Sequence, residues 1–142
     1  MALFKVEKTN DMGLGVFAVK NIRAGTGVIR FEGEVIAYYK CLEKEKNFIL
    51  LIGGSYCIVP KNEARFVNHS CNPNCEIFGE HLVAIKNIKA GEEITFAYDL
   101  VDEGEKLRWD DVWNFECKCG AENCRRIINK FVFRNIESQK LH

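Results

Sequence analysis

The chain reads as a mostly β domain of small sheets and short helices, closed at its C-terminal end by a metal-tied segment. Three observations predict this. One strand-turn-strand unit occurs twice, at 17–29 and 83–95. Short β-branched runs with alternating polarity far outnumber stretches of helical period. Three cysteines, Cys117, Cys119 and Cys124, stand near the end of the chain at a spacing that suits one metal ion.

Taken in chain order, Met12-Gly13-Leu14-Gly15 places two glycines just before the first strand. Such glycines serve a plain turn more often than a ligand loop, although they also let a backbone approach a ligand closely. The repeated unit follows: Phe17-Ala18-Val19-Lys20-Asn21-Ile22-Arg23-Ala24-Gly25 returns as Val83-Ala84-Ile85-Lys86-Asn87-Ile88-Lys89-Ala90-Gly91. Each copy predicts a strand, an Ala-Gly corner and a second strand. Further strands are expected at 35–39, 48–52 and 56–59, and a hairpin at 75–78 and 82–85 turning through Gly79-Glu80-His81. Helical signal is confined to a short exposed turn at 40–46 and a stripe of Leu107, Trp109, Val112 and Trp113 between 103 and 114. From 134 onward the chain is polar, and fraying is expected.

Composition narrows the function classes. A length of 142 residues fits one domain, and 47% hydrophobic residues supply a core. Twenty basic residues balance twenty acidic ones, which removes any global attraction to nucleic acid or anionic membrane. No apolar run has the length of a membrane span, and the first residues lack the pattern of a signal peptide. Seven cysteines, an odd number, disfavour a complete disulfide framework. Free or metal-bound thiols in a reducing, intracellular compartment are the expectation. Cys41, Cys57 and Cys75 read as buried apolar residues.

Structural zinc takes four ligands, so the trio lacks one. The stretch Arg65-Phe66-Val67-Asn68-His69-Ser70-Cys71-Asn72-Pro73-Asn74-Cys75 is the place to look, with Cys71 as the candidate. Gly120 allows the turn that brings Cys117 and Cys119 to one ion. Asn68, His69 and Ser70 sit beside apolar residues, where their polar groups need partners: each other, the backbone or a ligand. In Gly91-Glu92-Glu93-Ile94-Thr95-Phe96-Ala97-Tyr98, strand alternation puts Phe96 and Tyr98 on one face. Both suit a core, yet a tyrosine at a strand end commonly aims its hydroxyl at a polar partner.

Taken in order, Gly-x-Gly-Val-Phe-Ala, Gly33-Glu34-Val35-Ile36, Arg-Phe-Val-Asn-His-Ser-Cys-x-Pro-Asn, Gly-Glu-Glu-Ile-Thr-Phe-x-Tyr and Cys-x-Cys-Gly-x3-Cys-Arg resemble the SET-domain protein lysine methyltransferases that carry a post-SET zinc motif. The resemblance spans roughly residues 10 to 128. It implies a SET fold (β-clip-like) over 1–114 and a zinc-bound post-SET segment over 115–134, while the polar residues 135–142 are expected to form a disordered tail. By resemblance, Met12, Gly13, Leu14 and Gly15 lie along S-adenosylmethionine, Asn68 and His69 hold its amino-acid and adenine portions, and the backbone of Lys118 lies against the adenine. Tyr98 matches the tyrosine at the point of methyl transfer. Phe31, Tyr56 and Phe96 match the substrate channel, with Phe31 standing where a tyrosine is common. Phenylalanine at 96 implies room for di- and trimethylation. Cys71, Cys117, Cys119 and Cys124 match four ligands of one structural zinc. The implied partner is a protein presenting a lysine, histone by family habit, with no membrane and no direct nucleic-acid contact. The implied place is the nucleus and chromatin in a eukaryote, or the cytoplasm otherwise. Rival readings are a catalytically inactive SET-like module that binds peptide or cofactor, and a zinc-ribbon nucleic-acid binder.

Overall fold

The two Ala-Gly corners fold against each other as a reciprocal pair. They do so in a computed structural model that describes residues 2–10, 12–53, 55–98, 100–101 and 108–133. Ile22 and Ile88 exchange both backbone hydrogen bonds at 2.8 Å. The Asn87 side-chain oxygen accepts from Ala24 N, and the Asn21 oxygen accepts from Ala90 N, both at 3.0 Å. Gly25 N donates to Ala84 O, and Gly91 N donates to Ala18 O. The corners turn at Gly25 and Gly91, whose φ values of 91° and 90° lie where a side chain is strained. The repetition seen in the sequence is therefore a structural pseudo-symmetry.

The described strands up to the second corner are β1 (Phe4–Lys8), β2 (Leu14–Ala18), β3 (Gly27–Arg30), β4 (Gly33–Ala37), β5 (Leu50–Gly53), β6 (Tyr56–Pro60), β7 (Asn68–His69), β8 (Cys75–Phe78), β9 (His81–Ala84) and β10 (Glu93–Phe96). Beyond it come β11 (Leu100–Val101), β12 (Phe115–Glu116), β13 (Ile127–Ile128) and β14 (Val132–Phe133). They assemble as β1-β2-β10-β7, β3-β9-β8 and β4-β6-β5, plus the pairs β11-β14 and β12-β13. This mostly β architecture of small sheets, with 3-10 turns as the described helical segments, agrees with the predicted class.

Several boundaries move, each for a tertiary reason. The strand expected at 35–39 runs instead from Gly33 to Ala37, and Tyr38–Lys40 forms a 3-10 turn. Tyr38 leaves the sheet because its hydroxyl donates to Asp110 at 2.6 Å. Phe48 belongs to the 3-10 turn Glu43–Phe48, so β5 starts at Leu50, and the exposed turn expected at 40–46 is shifted toward the chain end. The hairpin loop shortens to Gly79-Glu80 because His81 pairs with both Phe78 and Arg30. Of the helix expected between 103 and 114, the described part is the 3-10 turn Asp111–Trp113, capped by Asp110, whose carboxylate accepts from Val112 N. Residues 102–107, Leu107 among them, and the polar tail from 134 lie outside the described residues.

The main core gathers apolar faces from all three larger sheets, including Val16, Ile22, Ile58, Val67, Leu82, Ile88 and Ile94. A second cluster, Tyr38, Cys41 and Cys57, packs with Ile36, Leu51 and Trp113 beneath the β4-β6-β5 sheet. Cys41, Cys57 and Cys75 are buried, as their apolar reading required. No described helix is long and apolar enough to cross a membrane.

Candidate active site and metal centre

The four cysteines drawn from two distant stretches converge. The sulfurs of Cys71, Cys117, Cys119 and Cys124 all lie within 4.8 Å of one another. Zinc–sulfur bonds of about 2.3 Å in a tetrahedron separate sulfurs by about 3.8 Å, and Cys71 and Cys117 Sγ are 3.8 Å apart. Local structure supports the cluster: Gly120 turns with φ 75°, Arg125 N donates to Cys71 Sγ at 3.3 Å, and the Asn123 amide donates to Cys71 O at 2.9 Å. Burial pushes the Cys117 thiol up. At Cys119 burial acts in the same direction, but backbone N–H groups and the neighbouring thiols overcome it and bring the value to about 6. One thiolate is thus favoured by the bare pocket, and a divalent cation is what would let the others ionise. Donor type, number and separation fit one structural zinc. Cys75 is buried in the main core, apart from the cluster.

Next to Cys71, the short parallel pairing of β7 on β10 sets Asn68 beside Thr95 and His69 beside Phe96. His69 is 2% exposed. Its Nδ1 accepts from Tyr98 N at 2.9 Å, which leaves the proton on Nε2, 3.4 Å from Cys71 Sγ. Burial, and after it the charge of Arg125, lower His69 to about 4, consistent with this neutral tautomer. The imidazole therefore couples the metal loop to the backbone of Tyr98, and its ring faces inward. The Asn68 side chain donates to Leu14 O and to Glu93 Oε2, each at 2.9 Å.

Tyr98 donates its hydroxyl to the carbonyl of Val67. Burial, and then Glu93, raise its pKa, so it remains a neutral phenol. With the proton directed at Val67, the oxygen presents lone pairs to its other neighbours. Its ring stands 4.9 Å from Phe96 and 5.9 Å from Phe115, and Phe96 in turn meets Phe31 edge-on at 5.9 Å. These aromatic residues line a cavity of about 1000 Å³ that also reaches Met12, Leu14 and Asn68.

The cavity thus brings together Met12, Leu14, Phe31, Asn68, Phe96 and Tyr98. Gly13 and Gly15 flank Leu14 in the same loop, which Thr9 closes by accepting from Met12 N and donating to Gly13 O. Lys118 is exposed between two of the thiols. Tyr56 is 52% exposed and does not line the cavity, because it stands at the start of β6 opposite Ala37. Phe115 was not picked out from the sequence: it precedes the metal motif without a motif of its own, and only the β12-β13 pairing carries it to Tyr98. Glu93 was legible only as part of a Gly-Glu-Glu corner; its contact with Asn68 joins positions remote in sequence.

A fold of small sheets around a deep cleft, with a tyrosine held at an aromatic wall and a four-cysteine cluster beside it, defines a ligand-binding β domain with a C-terminal metal clasp. The chain belongs to the SET domain family, whose model matches residues 13–99. It is 35% identical over 136 residues to the H3 lysine-4 specific histone-lysine N-methyltransferase of Schizosaccharomyces pombe, covering 82% of this chain and 14% of that protein. It is 32% identical over 143 residues to the histone-lysine N-methyltransferase trithorax of Drosophila virilis, covering 87% of this chain and 4% of that protein. A crystal structure of KRYPTONITE in complex with mCHH DNA, H3(1-15) peptide and SAH superposes with a TM-score of 0.68 at 28% identity, covering 87% of this chain and 29% of that one. The chain therefore spans a small fraction of the length of the relatives it matches.

Proposed function

We propose that the chain is an S-adenosylmethionine-dependent protein-lysine N-methyltransferase acting on histone or another lysine-bearing protein. The observation that carries this reading is the way Tyr98 is held: a neutral phenol with its proton directed at Val67 O, in an aromatic wall of the large cavity. The matched relatives are named histone-lysine methyltransferases, and the matched structure holds a histone H3 peptide and SAH. Residues 1–114 are assigned to the catalytic unit and 115–134 to its zinc-bound closure. The nucleus and chromatin are the proposed location.

S-adenosylmethionine, when bound, supplies a methyl group already activated on a sulfonium. The protein's task is to align a neutral amine with it and to exclude water. A lysine of pKa ~10.4 costs roughly 4 kcal/mol to deprotonate at about pH 7.4. Phe31, Phe96 and Phe115 lower that cost by disfavouring the charged form in a poorly hydrated channel. Tyr98 Oη offers an acceptor to the amine N–H, which turns the nitrogen lone pair toward the methyl group. Met12, Leu14 and Asn68 line the cofactor end of the cavity. Among the described residues β7 is an edge strand, and the open side of the Asn68-His69 backbone supports its reading as the adenine contact. Cys71, Cys117, Cys119 and Cys124 would hold a zinc whose role is structural, securing the segment from which β12-β13 pairing brings Phe115 to Tyr98.

Phe96 brings no hydroxyl to anchor a channel water, so space remains for a second and third methyl group. The neutral charge balance offers no long-range attraction to nucleic acid, and one matched structure carries DNA. Incubation with labelled S-adenosylmethionine and a panel of histones and cell lysate, read by mass spectrometry, tests the reading. Methyl-lysine products beyond the monomethyl state are expected, with Phe96→Tyr shifting the distribution toward mono. Absence of any methylated protein would refute the activity, and a wild-type stall at monomethyl-lysine with excess cofactor would refute the role of Phe96.

A further inference from the structure

Both N–H bonds of the Asn68 carboxamide are engaged, one with Leu14 O and one with Glu93 Oε2, each at 2.9 Å. Neither partner can donate: one is a backbone carbonyl and the other a carboxylate. Rotating the amide by half a turn would set its oxygen against two acceptors, so the chemistry of the neighbours dictates which atom is nitrogen. Oδ1 then retains its lone pairs, and among the described residues it receives no hydrogen bond. Asn68 lines the large cavity, and the group it has left to offer there is an acceptor.

Gly15 is what allows this contact. A Cβ at position 15 would stand 2.6 Å from Glu93 Oε2, 2.7 Å from Thr9 Cγ2 and 3.1 Å from Asn68 Nδ2. The absent side chain is thus the space in which carboxylate and amide meet. Strand pairing brings the three residues together: Glu93 opposes Phe17 across β2 and β10, while Thr95 aligns with Asn68 across β10 and β7.

We propose that Glu93 is a positioning residue that locks the Asn68 carboxamide with its oxygen toward the cavity, making the site selective for ligands that carry a cationic amine on an amino-acid tail. The proposal rests on the cofactor site described above and adds the residue that fixes its polarity. Without Glu93 a single N–H bond, to Leu14 O, would hold the amide, which would then meet an ammonium with N–H groups part of the time and would have to reorganise on binding. A locked amide presents an acceptor from the start, and the Glu93 carboxylate behind it adds favourable charge.

Calorimetry with two probes tests this: S-adenosylhomocysteine, which carries the amino-acid tail, and 5′-methylthioadenosine, which lacks it. Loss of a charge-assisted hydrogen bond predicts that Glu93→Ala weakens S-adenosylhomocysteine about tenfold, while 5′-methylthioadenosine changes less than about twofold. Glu93→Gln, whose amide oxygen still accepts from Asn68, should stay within about threefold of wild type for both probes. If Glu93→Ala is insoluble, Glu93→Met, of similar volume and without an oxygen acceptor, carries the same expectation. Equal weakening of both probes would reduce Glu93 to a structural role and overturn the proposal, as would no weakening. Asn68→Ala separates the two levels of the argument. Selective loss of S-adenosylhomocysteine in Asn68→Ala but not in Glu93→Ala rejects Glu93 alone; no selective loss in either rejects the cofactor site itself.

Discussion

The paired corners and the C-terminal segment 108–133 are held together by different physics. The corners bury Val16, Ile22, Ile88 and Ile94 almost completely and close on themselves through reciprocal backbone bonds. Within 108–131, only Cys117 and Ile128 are buried. What organises that segment is the cysteine cluster, the edge-on and tilted ring contacts among Trp109, Trp113 and Phe131 at 5.2–5.8 Å, and the bonds that Asp110 receives from Tyr38 and Lys46. Hydrophobic burial scales with area removed from water, so the corners resist perturbation, while a segment with little buried area depends on a few specific contacts. Tyr98 sits where the two meet, with Phe96 from the core on one side and Phe115 from the segment on the other. The proposed activity would therefore depend on the less secure of the two regions.

The largest effect should come from removing the clasp. Chelation, or Cys71→Ser, is expected to bring methyl transfer to background while far-UV circular dichroism of the β core persists. Cys75→Ser should keep one metal per chain by elemental analysis; metal lost there, or retained in full by Cys71→Ser, would reject the ligand set.

Tyr98→Phe attacks the junction itself. Removing one preorganised hydrogen-bonding group predicts a fall in kcat of roughly 10²–10³-fold, about 3–4 kcal/mol. Calorimetry should find cofactor affinity nearly unchanged. Turnover near wild type would make Tyr98 a packing residue.

Ile88→Ala tests the other side of the comparison. The side chain is buried in the bridge between the corners, and its truncation should cost about 3 kcal/mol in urea unfolding. Metal content should not change. Loss of zinc in this variant would show that the two regions are not energetically separable.

Asp110→Asn should have the smallest effect, about 1–2 kcal/mol, through the charge-assisted bond from Tyr38. The Tyr38 hydroxyl first, and then Val112 N and Lys46, hold the Asp110 carboxyl below its ordinary value. Its contribution is present above the unfolded pKa and fades as pH falls through the lower folded one. Wild type and variant should thus differ in melting temperature at neutral pH and converge in acid; a constant difference would rule out the carboxylate as its source.

How legible each part was follows from how local its cause is. The corners could be read because an Ala-Gly turn between β-branched residues is encoded in consecutive positions. Cys117, Cys119 and Cys124 could be read because metal-ligand spacing is itself a sequence property. Cys71, Asn68 and Tyr98 stood out by the order of motifs. The inward turn of the His69 ring did not, since it depends on Tyr98 N and Cys71 Sγ arriving from two directions. Tyr38 left its expected strand for the same kind of reason, drawn to an aspartate far along the chain.

By itself, then, the sequence determined the strand-rich class, the two corners, the four cysteines that converge and the family to which its motifs point. Tertiary structure alone decided that the corners embrace each other, that Phe115 closes on Tyr98, that Tyr56 stands outside the cavity, and that Asn68 shows an oxygen and not an N–H. The physical reason is that turn preference and ligand spacing are properties of neighbouring residues. The direction of a hydrogen bond and the burial of a ring belong to whatever the fold brings alongside.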